Sequence, residues 1–199
     1  MNLNGFYAIL DRDDEALART LVTAAGVLQL RLKGATAAEI VRVARMARRV
    51  CREAGALFVM NDRIDLALAS GADAVHLGQT DLPLIDARAI AQGLAIGVST
   101  HDLDQVRAAC AGGADYLGFG PVFATRTKQN PDPVRGLALL REAVRLAGSR
   151  PVVAIGGITP TLAREVYATG VAAVCAISAV NDAPDRAQAA IAMGRNASR

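Results

Sequence analysis

A chain of 199 residues, 52% hydrophobic, with a formal charge of +3, is long enough for one sizeable core and is not low-complexity. Its longest uncharged apolar run, Val171 to Val180, falls far short of a membrane span, and the N-terminus lacks a basic region followed by a long apolar one. A cytoplasmic protein without a signal peptide is expected. Three widely spaced cysteines, Cys51, Cys110 and Cys175, argue against a disulfide framework or a zinc site. Arg42, Arg45, Arg49 and Arg52 form a stripe at helical spacing. Without aromatic interleaving or a recognition motif it reads as a solvated helix face, not a nucleic-acid surface.

Short β-like runs alternate with helical stretches. Strands are expected at Phe6–Leu10, Val27–Leu32, Ala56–Asn61, Ala74–Leu77, Ala95–Thr100, Tyr116–Gly120, Pro151–Ile155 and Ala172–Ser178. Helices are expected at Ala37–Glu53, Leu103–Ala111, Leu137–Leu146, Leu162–Thr169 and Arg186–Met193, among others. Strand then helix, eight times over, requires parallel strands joined by crossover helices. The predicted fold is a small α/β protein, a closed (β/α)8 TIM barrel, with residues 1–199 as one domain. Gly71, Gly113 and Gly170 stand where helices end, as left-handed caps require. A doubly wound open sheet is the competing architecture, but no Gly-x-Gly-x-x-Gly follows the first strand.

Active sites of such barrels lie at the strand C-termini and in the loops that follow. The second strand ends Gln29-Leu30-Arg31-Leu32-Lys33. Alternation aims Gln29, Arg31 and Lys33 inward and the leucines at the helices. Two cations aimed inward call for an anion; a strand end fraying into solvent is the other explanation. The third strand ends at Asn61-Asp62, and the fourth leads through His76 and Gln79 to Asp81. Carboxylates on neighbouring strand ends suit a shared Mg2+, which keeps several waters and takes phosphate oxygens. The bland alternative is that Asp62 and Asp81 cap the helices that follow. Ser99, ending the fifth strand, suits donation to an anion. Ser99 and His101 lack a nucleophile elbow, and His76 and His101 lack zinc spacing, so both histidines read as structural or supporting.

After the sixth strand come two hydroxyls and two cations in four residues: Thr125, Arg126, Thr127 and Lys128. That composition suits a phosphate. Asn130-Pro-Asp-Pro133 keeps the loop from turning helical before Gly136. The seventh strand leads into Gly156-Gly157-Ile158-Thr159-Pro160, with Thr159 expected as N-cap and Pro160 as the first helical residue. Paired glycines let backbone N–H groups approach a phosphate, and loops after strands seven and eight often form such a site. The mouth therefore offers two anion regions. Arg31, Lys33, Ser99 and Lys128, with a metal on Asp62 and Asp81, suit a pyrophosphate. Backbone at Gly157, Ile177 and Ser178, facing Thr125 and Thr127, suits a phosphate monoester.

The motifs Gln29-Leu-Arg-x-Lys33, Asn61-Asp62, His76-Leu-Gly-Gln-x-Asp81, Gly97-Val-Ser-Thr-His101, Gly118-Phe-Gly-Pro-Val-Phe-x-Thr-x-Thr-Lys128, Ala154-Ile-Gly-Gly-Ile158 and Ile177-Ser178 occur in order. Almost end to end, the chain resembles the thiamine phosphate synthases. The resemblance implies a transferase of thiamine biosynthesis. It would join 4-amino-2-methyl-5-pyrimidinylmethyl diphosphate to 4-methyl-5-(2-phosphooxyethyl)thiazole, releasing pyrophosphate by a dissociative route. It assigns Gln29, Leu30, Arg31, Leu32, Lys33, Asn61, Ser99 and Lys128 to the pyrimidine diphosphate. Asp62 and Asp81 go to Mg2+, and Thr125, Arg126, Thr127, Gly157, Ile177 and Ser178 to the thiazole phosphate. Arg31, Lys33, Ser99 and Lys128 are the catalytic set. One departure stands out: the family usually has Glu where this chain has Leu32. Alternation puts position 32 on the outward face, so no catalytic group is expected to be lost.

The thiazole tautomerases share the barrel but resemble the chain less. They tend to lack the Asn-Asp pair and the second metal Asp, and carry His after the sixth-strand Gly, where this chain has Pro121. A binding module that keeps the phosphate sites without turnover is the non-enzymatic alternative. No nucleic-acid or membrane partner is expected; a homo-oligomer is compatible with these motifs but not shown by them.

Overall fold

Period-two alternation along the strands divides the core into two layers. On the first strand Phe6, Ala8 and Leu10 pack outward into the helix layer, while Tyr7 and Ile9 turn into the barrel. The same division places Leu28, Leu30, Phe58 and Met60 outside and Val27, Val59, Tyr116, Val153 and Cys175 inside. Phe58 and Phe119 are fully buried, each worth about 1.5–3 kcal/mol over an exposed side chain.

The computed structural model describes residues 3–91, 93–125 and 133–194. Its strands are β1 (Gly5–Leu10), β2 (Ala25–Leu30), β3 (Leu57–Asn61), β4 (Ala74–Leu77), β5 (Ala95–Thr100), β6 (Tyr116–Phe119), β7 (Val152–Ile155) and β8 (Ala173–Ala176). All neighbours pair in parallel, in sequence order, and β8 returns to β1 with Gly5 opposite Ala173, closing the barrel. The helices are α1 (Glu15–Val22), α2 (Ala37–Ala54), α3 (Ile64–Ser70), α4 (Leu84–Ile90), α5 (Leu103–Ala111), α6 (Gly136–Ala147), α7 (Ala163–Tyr167), α8 (Ser178–Asn181) and α9 (Arg186–Gly194).

Helix α2 shows how local chemistry sets an element. The Thr36 side chain accepts from the Glu39 N–H while the Glu39 carboxylate accepts from the Thr36 N–H, a complete capping box. Gly55, at φ 70°, ends the helix in the left-handed region. Val43, Ala44, Ala47, Val50 and Cys51 form the buried stripe. The four arginines of the sequence stripe are exposed, with Arg42 on Asp13 and Arg49 on Glu15. The stripe faces solvent.

Several expected boundaries shift by one or two residues, the second strand running Ala25–Leu30 rather than Val27–Leu32, and two differences bear on the site. The eighth strand stops at Ala176, not Ser178: the Ile177 carbonyl accepts from the Val180 and Asn181 N–H groups, so the chain has already turned into α8. The seventh helix starts at Ala163, with Leu162 as its cap, not at Pro160. The Thr159 hydroxyl bonds Thr161 Oγ1 at 2.8 Å instead of a helix N–H, and a turn from Thr159 to Leu162 comes first.

Candidate active site

The inward side chains stop short of the C-terminal mouth and leave a cavity of about 660 Å³. Of the expected residues, Gln29, Arg31, Asn61, Ser99, Thr125, Gly157, Ile177 and Ser178 line this one space. Arg126, Thr127 and Lys128 lie outside the described residues. The Leu30 and Leu32 side chains pack against the outer core, so position 32 faces outward.

Strand β2 ends at Leu30, but the Arg31 N–H still donates to the Leu10 carbonyl at 2.9 Å, carrying the ladder one residue further. That bond aims Arg31 into the cavity. Lys33 is instead on the rim, where Nζ meets Asp62 Oδ2 at 2.7 Å.

Neither rim aspartate caps a helix. Arg63 and Pro83 hold the cap positions of α3 and α4, without side-chain cap bonds. Asp62 turns the chain at φ 63°, a conformation that Asp tolerates better than most residues, and its N–H donates to the His76 carbonyl at 2.8 Å. The Asp81 carboxylate accepts from the Gly78 N–H at 2.6 Å. Burial raises the Asp81 carboxyl above its usual range; the nearby Asp62 adds to this, while the Gly78 N–H and Lys33 oppose it. A carboxylate pair under mutual repulsion gains from a shared cation. Among the described residues no group of three or more His, Cys, Asp or Glu could hold a metal. An oxygen pair still fits Mg2+, which binds through one or two carboxylates with waters and phosphate oxygens.

A chain of polar side chains crosses the barrel beneath the cavity. Gln29 Nε2 donates to Tyr7 Oη at 3.0 Å, and Tyr7 Oη lies 2.9 Å from Tyr116 Oη. Tyr116 Oη is 3.1 Å from His76 Nδ1, and His76 Nε2 is 2.9 Å from Ser99 Oγ. Two glycines make room. A Cβ at Gly97, directly across from Tyr116 in the β5–β6 register, would overlap its ring, and one at Gly118 would press on the His76 ring. Burial pushes His76 down to about 4, so its ring is neutral. Burial also raises Tyr116 and Tyr7 well above the ordinary phenol range, so both keep their hydrogens. The Ser99–His76 contact lacks the carboxylate that orients a hydrolytic triad, since Tyr116 takes that place. Tyr7, Tyr116 and His76 all line the cavity, though the sequence did not mark the tyrosines as site residues.

At the opposite wall Gly156 and Gly157 have φ of 101° and 64°. A side chain at Gly157 would run into the Ala124 carbonyl, so the residue must be glycine on both counts. Ile177 and Ser178 stand where β8 gives way to α8, and Asn181 ties that helix down by donating from Nδ2 to the Ile9 carbonyl and to Asp11 Oδ1, both at 2.9 Å.

The sequence model for thiamine monophosphate synthase matches residues 6–180. The chain belongs to this family. A thiamine-phosphate synthase of Methanocella arvoryzae is 47% identical over 177 residues, covering 88% of this chain and 83% of that protein. One from Pyrococcus furiosus is 41% identical over 194 residues, covering 93% and 92%. The solved thiamine phosphate pyrophosphorylase from Pyrococcus furiosus superposes with a TM-score of 0.90 at 39% identity, covering 98% of this chain and 95% of that one. A 3-hexulose-6-phosphate synthase, at 19% identity and a TM-score of 0.76, shares the fold. As a member of this family the chain is an enzyme, a transferase of thiamine biosynthesis acting on small molecules. No helix among the described residues is long and apolar enough to cross a membrane.

Proposed function

We propose that the cavity joins the pyrimidinylmethyl diphosphate to the thiazole phosphate, giving thiamine phosphate and pyrophosphate. One observation carries the reading. The cationic wall at Arg31 and the glycine-and-α8 wall at Gly157, Ile177 and Ser178 open into the same cavity of about 660 Å³, the size for small-molecule ligands. Two phosphorylated reactants bound by those walls meet inside it.

In the proposed reaction the methylene C–O bond breaks and its electron pair leaves with pyrophosphate. The resulting pyrimidinylmethyl cation is stabilised by the ring amino group. The thiazole nitrogen lone pair then forms the C–N bond. Arg31 and Lys33, with Lys128, hold the departing charge. Gln29, Asn61 and Ser99 orient the pyrimidine. Thr125, Arg126 and Thr127 join Gly157, Ile177 and Ser178 on the thiazole phosphate. Asp62 and Asp81 would hold Mg2+, whose charge favours the leaving pyrophosphate when bound. Leu30 and Leu32 contribute through backbone, since their side chains face the helices. Little covalent work falls to the protein, so preorganised charge supplies most of the catalysis. A cytoplasmic location goes with this reading, as the substrates are phosphorylated metabolites.

The two walls separate in steady-state kinetics. Ser178 is exposed, so Ser178→Glu should fold and repel the phosphate monoester. The KM for the thiazole phosphate should rise about tenfold or more, the scale of a lost charge-assisted bond, with the KM for the diphosphate little changed. Equal effects on both KM values would contradict the two-wall assignment.

A further inference from the structure

We propose that the buried chain from Gln29 through Tyr7, Tyr116 and His76 to Ser99 runs in one direction only, fixing His76 as its Nε2–H tautomer and turning the Ser99 hydroxyl hydrogen into the cavity. Ser99 is then an obligate donor, and His76 and Tyr116 are positioning residues that make it so.

The direction follows from counting hydrogens. Gln29 Nε2 is a donor, so Tyr7 Oη accepts at that end. Tyr7 is 2% exposed, and among the described residues its only other hydrogen-bond partner is Tyr116 Oη, at 2.9 Å. Unless Tyr7 gives its hydrogen to Tyr116, a buried donor is left without an acceptor, which folded proteins avoid. Tyr116 Oη therefore accepts from Tyr7 and spends its own single hydrogen on His76 Nδ1, 3.1 Å away. A neutral ring that accepts at Nδ1 carries its hydrogen on Nε2. That N–H points at Ser99 Oγ, 2.9 Å away, so the oxygen accepts and its hydrogen must go elsewhere. Ser99 lines the cavity, which is where the hydrogen goes.

A fixed donor selects for a lone pair. The ligand atom facing Ser99 is an acceptor, a ring nitrogen or a phosphate oxygen, and an N–H group placed there is disfavoured. That both acceptors belong to the pyrimidine diphosphate rests on the functional reading above; the tautomer does not.

The tautomer is read directly from long-range proton–nitrogen correlation spectra of ¹⁵N-labelled protein. The chain has two histidines, and loss of one set of signals in His76→Gln assigns them. The wild-type protein should show the Nε2–H pattern for His76. Tyr116→Phe keeps the ring but removes the donor to Nδ1, so it should give a mixture of tautomers, and kcat/KM for the diphosphate should fall about tenfold. An Nδ1–H pattern in the wild type would mean that Gln29 accepts and the chain runs the other way, overturning the proposal. An unchanged Nε2–H pattern in Tyr116→Phe would overturn it as well. A shifted tautomer with unchanged kinetics would overturn the donor role of Ser99. Wild-type Nε2–H with no turnover would count against the functional reading while upholding the hydrogen-bond direction.

Discussion

Lys33 Nζ sits 2.7 Å from Asp62 Oδ2, at the same rim where Asp81 feels the Asp62 charge. Lysine and aspartate on successive strand ends thus share one patch, with its carboxylates facing each other and its cation alongside. This is the arrangement expected if a cation and a pyrophosphate enter together.

Asp62 and Asp81 should therefore act as a unit. EDTA should abolish turnover and Mg2+ restore it, and Asp62→Asn or Asp81→Asn should each remove most of the Mg2+ response. The double variant should be little worse than either single one, because groups acting as a unit are non-additive. Multiplicative losses with the Mg2+ response intact would leave Asp62 as a partner of Lys33 alone.

Gly97→Ala should be strongly destabilising. Its Cβ has nowhere to go but into the Tyr116 ring, itself 1% exposed and bonded to both Tyr7 and His76. Overpacking of this kind costs about 1–3 kcal/mol or more, measurable as a lower urea midpoint. An unchanged midpoint would mean that the Tyr116 ring moves freely.

The fold was legible because alternation along each strand is a strong signal. Phe6, Ala8 and Leu10 against Tyr7 and Ile9 already distinguish helix-facing from barrel-facing positions. The strand-end polar residues followed from that frame, and Gln29, Arg31, Asn61 and Ser99 do line one cavity. Tyr7 and Tyr116 were not legible as site residues, because an inward aromatic in a strand looks like any core residue. Gly97 held the missing signal: an inward glycine across the sheet from Tyr116 marks a ring that needs space. The turn at Ile177 was also hidden, since Ala-Ile-Ser carries no breaker. Asn181, which fixes that turn, lies in an otherwise unremarkable polar stretch.

Asn181→Ala should loosen the start of α8. The side chain is fully buried and its two donated bonds hold the helix to the end of β1. Leaving the Ile9 carbonyl unpaired should cost about 1–3 kcal/mol of stability. The KM for the thiazole phosphate should rise, while that for the diphosphate stays near its original value. A rise in both would point to general loss of the barrel mouth.

Stability should fall as pH drops from 6.5 towards about 4, and His76 is a cause. Its folded-state pKa is depressed by burial, so in this window the unfolded chain binds a proton that the native chain does not. Stability then rises with pH and is fully present above the unfolded value. His76→Gln should flatten that slope in denaturant titrations, and an unaltered slope would show that His76 is protonated in the folded protein.

One cavity should bring both phosphorylated reactants together. The stoichiometry of product release decides this, measured on the purified protein supplied with the pyrimidine diphosphate, the thiazole phosphate and Mg2+. Thiamine phosphate and pyrophosphate should appear one for one, and omitting the thiazole phosphate should abolish thiamine phosphate formation. Pyrophosphate released without thiamine phosphate in the complete mixture, or neither product from a folded protein that binds both substrates, would contradict the account.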